Sequence, residues 1–399
     1  MKNLLVLAAV ALVSVAGYAQ QALWGSAPVV SPEVHSDHTV TFRLKAPKAR
    51  RVQLHGDFLP TTAIKTERGE FDVAMPVDMV EKDGVWEWTT PQPLQPELYS
   101  YNMIIDGVKV NDPSNVYMIR DVASVFSVFI VGGERGDLYS VNEVPHGTVS
   151  RIWYESPGLK MNRRLTVYTP AGYEKGGKYP VFYLLHGAGG DEEAWINLGR
   201  TSQILDNLIA QGKVEPMIVV MTNGNAWQQA APGESPLGYT VPSMGTGAQR
   251  QAVEADFVST FPDVVKFVEK TYRVKKGKAN RAIAGLSMGA YHSCAISRLY
   301  PDMFDYVGLF SGGGGRPNLK DNPLYGDMEG LLAKQFAKKP ALYYIACGNR
   351  DFVYKGIEEY RQFLTEKGYP FEYFETGEGH IWRNWRIYLS EFAPRLFKK

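Results

Sequence analysis

Apolar and polar residues alternate in short runs over the first third of the chain. The clearest runs lie at residues 39–44, 52–55, 84–89, 99–105 and 124–131, and turn-forming pairs such as Asp106-Gly107 separate them. Because successive side chains of a strand point to opposite faces, this alternation is typical of half-buried strands. Short strands with regular turns predict an all-β, immunoglobulin-like sandwich over residues 20–131.

A different pattern begins near residue 179 and continues to the C-terminus. Continuous apolar runs at 181–185, 217–221, 306–310 and 341–347 alternate with amphipathic stretches at 201–211, 250–272, 354–367 and 384–397. Strands that are apolar on both faces belong to parallel sheets that helices cover on both sides. We therefore expect an α/β domain over residues 148–399 with a mostly parallel sheet, and a glycine-rich linker at 132–147.

The first residues have the pattern of an export signal. A basic start at Lys2 precedes an apolar run at residues 4–15, and Gly17-Tyr18-Ala19 fits a small-residue cleavage site. The apolar run is short for a transmembrane helix, and an uncleaved anchor is the alternative. We expect a signal peptide over residues 1–19, cleavage near Ala19, and a secreted or periplasmic protein.

Composition and charge exclude several classes of partner. The 399 residues suffice for two domains, and a hydrophobic content of 45% suffices for large cores. The net charge is +1 without a basic block, which argues against nucleic acid or an anionic membrane as the main partner. Two cysteines, Cys294 and Cys347, are too few for a disulfide framework. We expect buried thiols, although export would permit one bridge.

The segment Gly285-Leu286-Ser287-Met288-Gly289 carries the clearest chemical signal. An apolar run at 282–284 precedes it and a helical pattern at 290–300 follows it. A G-x-S-x-G between a strand and a helix is the context of a nucleophile elbow, a tight turn that exposes a reactive serine. Ser287 is therefore the candidate nucleophile. A chance match in a chain with 39 glycines is the alternative.

A serine nucleophile needs a base and an acid, and α/β-hydrolases carry them in the order serine, acid, histidine. His380 lies in a loop after the last predicted strand, and Asp351 follows the strand before it. We expect His380 to be the base and Asp351 to orient it, with Glu375 and Glu378 as the alternatives for the acid.

The oxyanion that forms during ester cleavage needs two N–H donors. One should be the residue after the nucleophile, Met288, and the other should come from a turn after an early strand. The glycine-rich turn that follows His186 supplies such a segment, in which Ala188 is the first candidate and Gly187 the second.

Two stretches resemble known families. The N-terminal part resembles the immunoglobulin-like E-set modules of glycogen-branching and related enzymes through VTFRLKAPKARRVQLHGDF, DGVWEWT, LYSYNMIIDG and NDPSN. The C-terminal part resembles the feruloyl and acetylxylan esterases, an esterase D-like branch of the α/β-hydrolases, through YLLHGAGGDEEAW, MTNGNA, AGLSMGAYHS, ACGNRDFVYKG and GEGHIWRNWRIYL. The resemblance implies the same roles for Ser287, Asp351 and His380, and a carbohydrate context for both domains.

This resemblance implies an esterase that releases hydroxycinnamic acids such as ferulate from plant cell-wall polysaccharide or its feruloylated oligosaccharides, without a metal or organic cofactor. The long irregular segment 223–247 is interpreted as a lid or pocket wall. The candidate substrate-binding residues are Trp195, Asn223, Trp227, Tyr239 and Trp382. Acetylxylan or siderophore esters, acyl transfer to another sugar, and a carbohydrate-binding protein with a vestigial hydrolase domain remain open. In the N-terminal domain, Trp86, Trp88, Tyr99 and Tyr101 are either core residues or a sugar platform.

Overall fold

The computed structural model describes residues 29–66, 69–236, 247–314 and 327–398. The predicted signal peptide and Tyr239 lie outside the described residues. The description excludes the side chains of residues 66, 69–71 and 247–256.

The N-terminal domain is built from short antiparallel strands, as the alternating pattern predicts. The described strands are β1 (Glu33–Val34), β2 (Val40–Lys45), β3 (Val52–Gly56), β4 (Thr61–Thr66), β5 (Gly69–Ala74), β6 (Val77–Asp78), β7 (Val80–Lys82), β8 (Val85–Thr89), β9 (Glu97–Ile105), β10 (Val108–Val110), β11 (Met118–Asp121) and β12 (Ser124–Val131). One sheet has the order β1-β2-β8-β7, and a second has the order β11-β12-β9-β3-β6 with β10 beside β9. The hairpin of β4 and β5 forms a separate two-stranded sheet.

Aromatic side chains from the two larger sheets form one core between them. Phe42 of β2 packs against Tyr101 of β9 and Phe129 of β12, with ring centroids 4.9 and 5.4 Å apart. Tyr99 and Tyr101 are buried, as is Trp86, whose indole N–H donates to the carbonyl of Ala46 at 3.0 Å. Trp88 is half-buried against the same cluster. Trp86, Tyr99 and Tyr101 are therefore core residues, which confirms the first of the two interpretations for these three, and Trp88 packs on the edge of the same core.

The C-terminal domain has an eight-stranded sheet covered by helices. Its strands are β13 (Thr148–Ser156), β14 (Met161–Thr169), β15 (Val181–Leu185), β16 (Ile218–Thr222), β17 (Arg281–Leu286), β18 (Tyr306–Phe310), β19 (Leu342–Gly348) and β20 (Glu372–Thr376). The order is β13-β14-β16-β15-β17-β18-β19-β20. The pairs β13–β14 and β14–β16 are antiparallel, and the remaining pairs are parallel, so the sheet is mostly parallel as predicted.

Eight α-helices lie within the described ranges: α1 (Glu134–Tyr139), α2 (Ala194–Asn197), α3 (Thr201–Ala210), α4 (Gly247–Thr271), α5 (Met288–Leu299), α6 (Met328–Ala337), α7 (Tyr354–Glu366) and α8 (Trp382–Phe392). Alternate side chains of β15 enter two separate cores: Tyr183 joins the one formed with α4 to α7, and Phe182 the one formed with α3 and α8. The last helix ends at Phe392 rather than near 397, because the sequence Ala393–Arg395 forms a 3-10 turn with Pro394, which lacks a backbone N–H.

The segment expected to be a linker is folded onto the C-terminal domain. Helix α1 buries Tyr139 completely. The side-chain amide of Asn207, on α3, donates to the carbonyls of Leu138 and Ser140 at 2.9 and 3.0 Å. Because residues 132–147 are rich in glycine and polar side chains, their pattern predicted a linker and not this packed helix.

The two domains share a buried interface. Leu98, Ile119 and Val128 of the N-terminal domain belong to the same apolar cluster as α3 and α8. Within it, the Arg386 guanidinium donates to the Glu97 carboxylate at 2.9 Å, and both residues are 3% or less exposed. The domains therefore pack as one unit in which the N-terminal domain lies over the α8 face of the sheet.

Cys294 and Cys347 are free thiols buried in the core, as expected. In the part of the chain that the structure describes, no helix is both long enough and apolar enough to cross a bilayer.

Candidate active site

Ser287 occupies a strained turn between β17 and α5. Its φ and ψ angles are 50° and −115°, a conformation that costs a non-glycine residue roughly 1–3 kcal/mol. The backbone N–H of Ser287 donates to the carbonyl of Phe310 at 2.8 Å and fixes the turn to the neighbouring strand. A Cβ on Gly289 would lie 2.4 Å from the carbonyl oxygen of Leu185, so the turn fits against β15 only with glycine there. This is the geometry of a nucleophile elbow.

The histidine and the acid meet at the carboxyl ends of the last two strands. His380 follows β20 and Asp351 follows β19, as the sequence predicts. The Nδ1 of His380 lies 2.9 Å from each carboxylate oxygen of Asp351. Because a carboxylate only accepts, Nδ1 carries the hydrogen and Nε2 is left to take a proton from a nucleophile.

The two alternative acids bind other partners. The carboxylate of Glu375 accepts hydrogen bonds from Tyr354 and Tyr373, both at 2.9 Å. Glu378 pairs with Arg350 and Arg383. These contacts support Asp351 as the residue that orients His380.

Aromatic rings hold the imidazole of His380 from two sides. The ring of Phe352 lies 4.5 Å from it, and the ring of Trp385 lies 5.0 Å away at an interplanar angle of 88°. The indole N–H of Trp385 donates to the Ser311 hydroxyl at 3.1 Å, so this wall is itself fixed. Phe352 is 53% exposed and was missed in the sequence, where its only signal is its position next to Asp351.

The turn after β15, residues 187–190, lies directly beside Ser287, and we refer to it as the oxyanion loop. A Cβ on Gly187 would lie 3.3 Å from the Ser287 Cβ and 2.4 Å from a Leu286 methyl group. The Gly187 carbonyl accepts from the His186 Nδ1 at 2.7 Å and from the Gly190 N–H at 3.1 Å. In a trans peptide the N–H points opposite to the carbonyl, so the Ala188 N–H is directed away from the His186 ring. Ala188 stays the first candidate for the second donor, with Gly187 as the other candidate.

His186 fixes the loop from behind. Its Nδ1 donates to the Gly187 carbonyl, and its Nε2 accepts from the Gly224 N–H at 2.7 Å. Only the neutral ring can make both bonds. Complete burial lowers the pKa of His186 below its ordinary value, which agrees with this state.

Two of the predicted substrate-binding residues lie in the interior instead. Trp195 is 1% exposed, and its indole N–H donates to the carbonyl of Leu185 at 2.8 Å. Asn223 is also 1% exposed, and its amide donates to the Glu192 carboxylate at 3.0 Å. Neither side chain is open to a substrate, because both are buried and their polar atoms already form hydrogen bonds inside the protein. Trp195 supports Trp382 from behind, with ring centroids 5.3 Å apart.

Trp382 and Trp227 are both half-buried. Trp382 lies at the start of α8, and its ring is 5.2 Å from that of Trp385, which contacts His380. The structure thus brings Trp382 to the histidine side of the site.

The described part of the predicted lid, residues 223–236, is firmly anchored. The buried Arg163 donates to the carbonyls of Asn223 and Asn225 at 2.6 and 2.8 Å. Glu192 accepts from the Ala231 N–H at 2.8 Å and forms a buried ion pair with Arg164. These contacts fix this part of the segment to the domain, and its role as a lid or pocket wall stays a prediction.

Within the described ranges, no three His, Cys, Asp or Glu side chains are grouped as they would be around a metal ion.

Comparison with known proteins gives this site a context. Residues 156–320 match the Esterase family model, described as "Putative esterase". The endo-1,4-beta-xylanase/feruloyl esterase of Xylanibacter ruminicola is 30% identical over 378 residues, which are 92% of this chain and 46% of that protein. The endo-1,4-beta-xylanase Y of Acetivibrio thermocellus is 25% identical over 60% of this chain and 22% of that protein. The chain thus spans less than half the length of these two relatives.

Solved structures show the same fold. The ferulic acid esterase of the anaerobic fungus Anaeromyces mucronatus is 25% identical with a TM-score of 0.55, and the match covers 65% of this chain and 95% of that chain. The enterobactin esterase of Shigella flexneri matches with a TM-score of 0.59 at 17% identity, over 89% of this chain and 92% of that chain. The second likeness shows a shared fold alone, and its coverage extends over both domains.

Proposed function

We propose that this protein is a serine ester hydrolase in which Ser287, His380 and Asp351 form the catalytic triad. The observation that carries the proposal is the strained Ser287 turn at the edge of the sheet where Asp351 binds the Nδ1 of His380. His380 Nε2 takes the Ser287 proton as the serine oxygen attacks the ester carbonyl. The N–H groups of Met288 and Ala188 stabilise the oxyanion.

The reaction then proceeds through an acyl-enzyme. His380 returns the proton to the departing alkoxide, which leaves the acyl group on Ser287. The same histidine next takes a proton from water, the hydroxide attacks the acyl carbonyl, and the free acid leaves as Ser287 recovers its hydrogen. The Asp351 carboxylate stabilises the imidazolium in both halves.

We further propose that the acyl group is a hydroxycinnamoyl group such as feruloyl, esterified to arabinoxylan or its oligosaccharides. Phe352 and Trp382 place aromatic surface on the histidine side of the site, where the flat phenolic ring of such an acid could stack. The relatives named feruloyl esterase support this substrate. We also propose that residues 20–131 form an immunoglobulin-like E-set module of a type similar to carbohydrate-binding modules. The protein is secreted after cleavage near Ala19 in the same proposal.

The decisive experiment replaces Ser287 by alanine and measures ferulate release from methyl ferulate. We expect the release to disappear. Ser297→Ala is the matched control, because Ser297 lies on α5 and its hydroxyl donates only locally, to the Cys294 carbonyl at 3.2 Å. Ferulate release that persists in Ser287→Ala would reject the triad, and the control should release ferulate at the wild-type rate.

A substrate panel separates the acyl groups. Faster hydrolysis of methyl ferulate, p-coumarate and caffeate than of acetylated xylan supports the hydroxycinnamoyl assignment. The reverse preference would keep the serine mechanism and replace the acyl group by acetyl.

A further inference from the structure

The N-terminal domain reaches the oxyanion loop through the turn between β11 and β12. Val122 of this turn lies against Gly189, the residue that follows Ala188. A Cβ on Gly189 would lie 2.8 Å from one Val122 methyl and 3.0 Å from the other. The two methyl groups therefore fill the space where a side chain at 189 would otherwise lie.

Val122 holds this contact in a strained conformation. Its φ of 51° lies in the left-handed region, where a β-branched residue is rare. Glycine would adopt this backbone without steric cost. A strained residue whose side chain touches the catalytic loop is typical of a functional constraint.

Arg120 ties the same turn to the far end of the loop. Its guanidinium donates to the Val122 carbonyl at 2.8 Å and to the Asp191 carboxylate at 2.5 Å. Asp191 is buried and also accepts from the Glu193 N–H at 3.0 Å, at the start of α2. One cation thus fixes the turn and the loop to each other.

Asp121 extends the contact to the histidine side of the site. Burial raises the pKa of Asp121, and the neighbouring Trp382 side chain acts against this rise, so the two side chains lie side by side. Trp382 packs on Trp385, which contacts His380. Three consecutive residues of the N-terminal domain therefore brace both sides of the catalytic centre.

We propose that Arg120, Asp121 and Val122 are positioning residues that hold the oxyanion loop, and with it the Ala188 N–H, in its catalytic geometry. The proposal rests on the proposed function, because it assigns the chemical step to that loop. It differs from a role in carbohydrate binding: an element that positions the oxyanion donor affects every ester, whatever its sugar. A misplacement of catalytic groups by a fraction of an ångström is enough to slow the chemical step.

The test is Val122→Gly, which removes the contact with Gly189 and also relieves the strain. We expect kcat to fall about tenfold on both methyl ferulate and p-nitrophenyl acetate, with KM changed less than about twofold, whereas Tm does not fall. Val122→Thr keeps the branched shape and should retain kcat. Asp83→Gly is the matched control, because Asp83 also has a positive φ, 53°, in the β7–β8 turn of the same domain.

Each outcome decides the question. An unchanged kcat in Val122→Gly, or a loss confined to polysaccharide esters, would overturn the positioning role. If Val122→Gly does not fold, Val122→Ala, which keeps the Cβ and removes both methyl groups, should show the same loss of kcat. Activity that does not depend on Ser287 would reject the proposed function itself, whereas a serine-dependent enzyme indifferent to Val122 would reject only this inference.

Discussion

Asp351 presents both carboxylate oxygens to the Nδ1 of His380, each at 2.9 Å. The carboxylate is held in turn by the Val353 N–H, at 3.1 Å from Oδ1. The side chain of Asp351 is fully buried, so water does not compete for the interaction. The tautomer of the histidine is therefore set by a rigid, enclosed acceptor.

Replacing Asp351 by asparagine should lower kcat by roughly 10⁴-fold, because an amide can no longer enforce the reactive tautomer. The measurement is steady-state hydrolysis of p-nitrophenyl acetate. Asp72→Asn is the control: Asp72 pairs with Arg350, the neighbour of Asp351, on the surface at 3.0 Å. A loss of less than tenfold in Asp351→Asn would contradict the role of this carboxylate.

The buried His186 makes stability depend on pH. The pKa of His186 is lowered in the folded state. Below about pH 6.5 the histidine is therefore protonated in the unfolded chain while it stays neutral in the native protein. The free energy of unfolding should therefore fall as pH drops through this range, by up to about 1.4 kcal/mol per pH unit from this residue.

His186→Gln should remove that part of the slope, although it lowers stability at every pH. Urea unfolding at pH 5.5, 6.5 and 7.5 tests this. The other histidines are common to both proteins, so the difference in slope isolates His186. Parallel slopes would show that the ring does not remain neutral in the folded protein.

The ion pair of Glu97 and Arg386 should stabilise the contact between the domains. Glu97→Ala leaves a buried guanidinium without its charge partner, and we expect a loss of about 3–5 kcal/mol in the free energy of unfolding. Glu33→Ala, which removes a partner of the partly exposed Arg43, should destabilise the protein far less, because water screens an exposed ion pair. Chemical denaturation of both variants gives the comparison, and equal losses would argue against a coupled interface.

Phe352 should contribute to acyl specificity. Phe352→Ala removes an exposed ring beside His380. We expect KM for methyl ferulate to rise about fivefold, as for one lost aromatic contact of about 1 kcal/mol, while kcat/KM for p-nitrophenyl acetate changes less than twofold. Lys355→Ala, a substitution on the first turn of α7, is the control. Equal effects on both esters would place Phe352 in the support of His380 rather than in acyl recognition.

Local patterns in the sequence determined much of this protein. Strands such as Val181–Leu185 and Tyr306–Phe310 coincide with the predicted apolar runs, because a strand covered on both faces must be apolar throughout. Ser287, Asp351 and His380 were assigned from their positions at the ends of strands, and parallel strands end at the same edge of a sheet.

Only the tertiary structure decided which side chains face the site. Trp195 and Asn223 occupy sequence positions typical of pocket residues. In the structure both are buried, and their side chains donate hydrogen bonds to Leu185 and Glu192 in the interior. The contact of Val122 with Gly189 joins two domains across 67 positions, and no local pattern encodes it. A sequence reports whether a residue can be buried, whereas its partner depends on how separately folded elements pack.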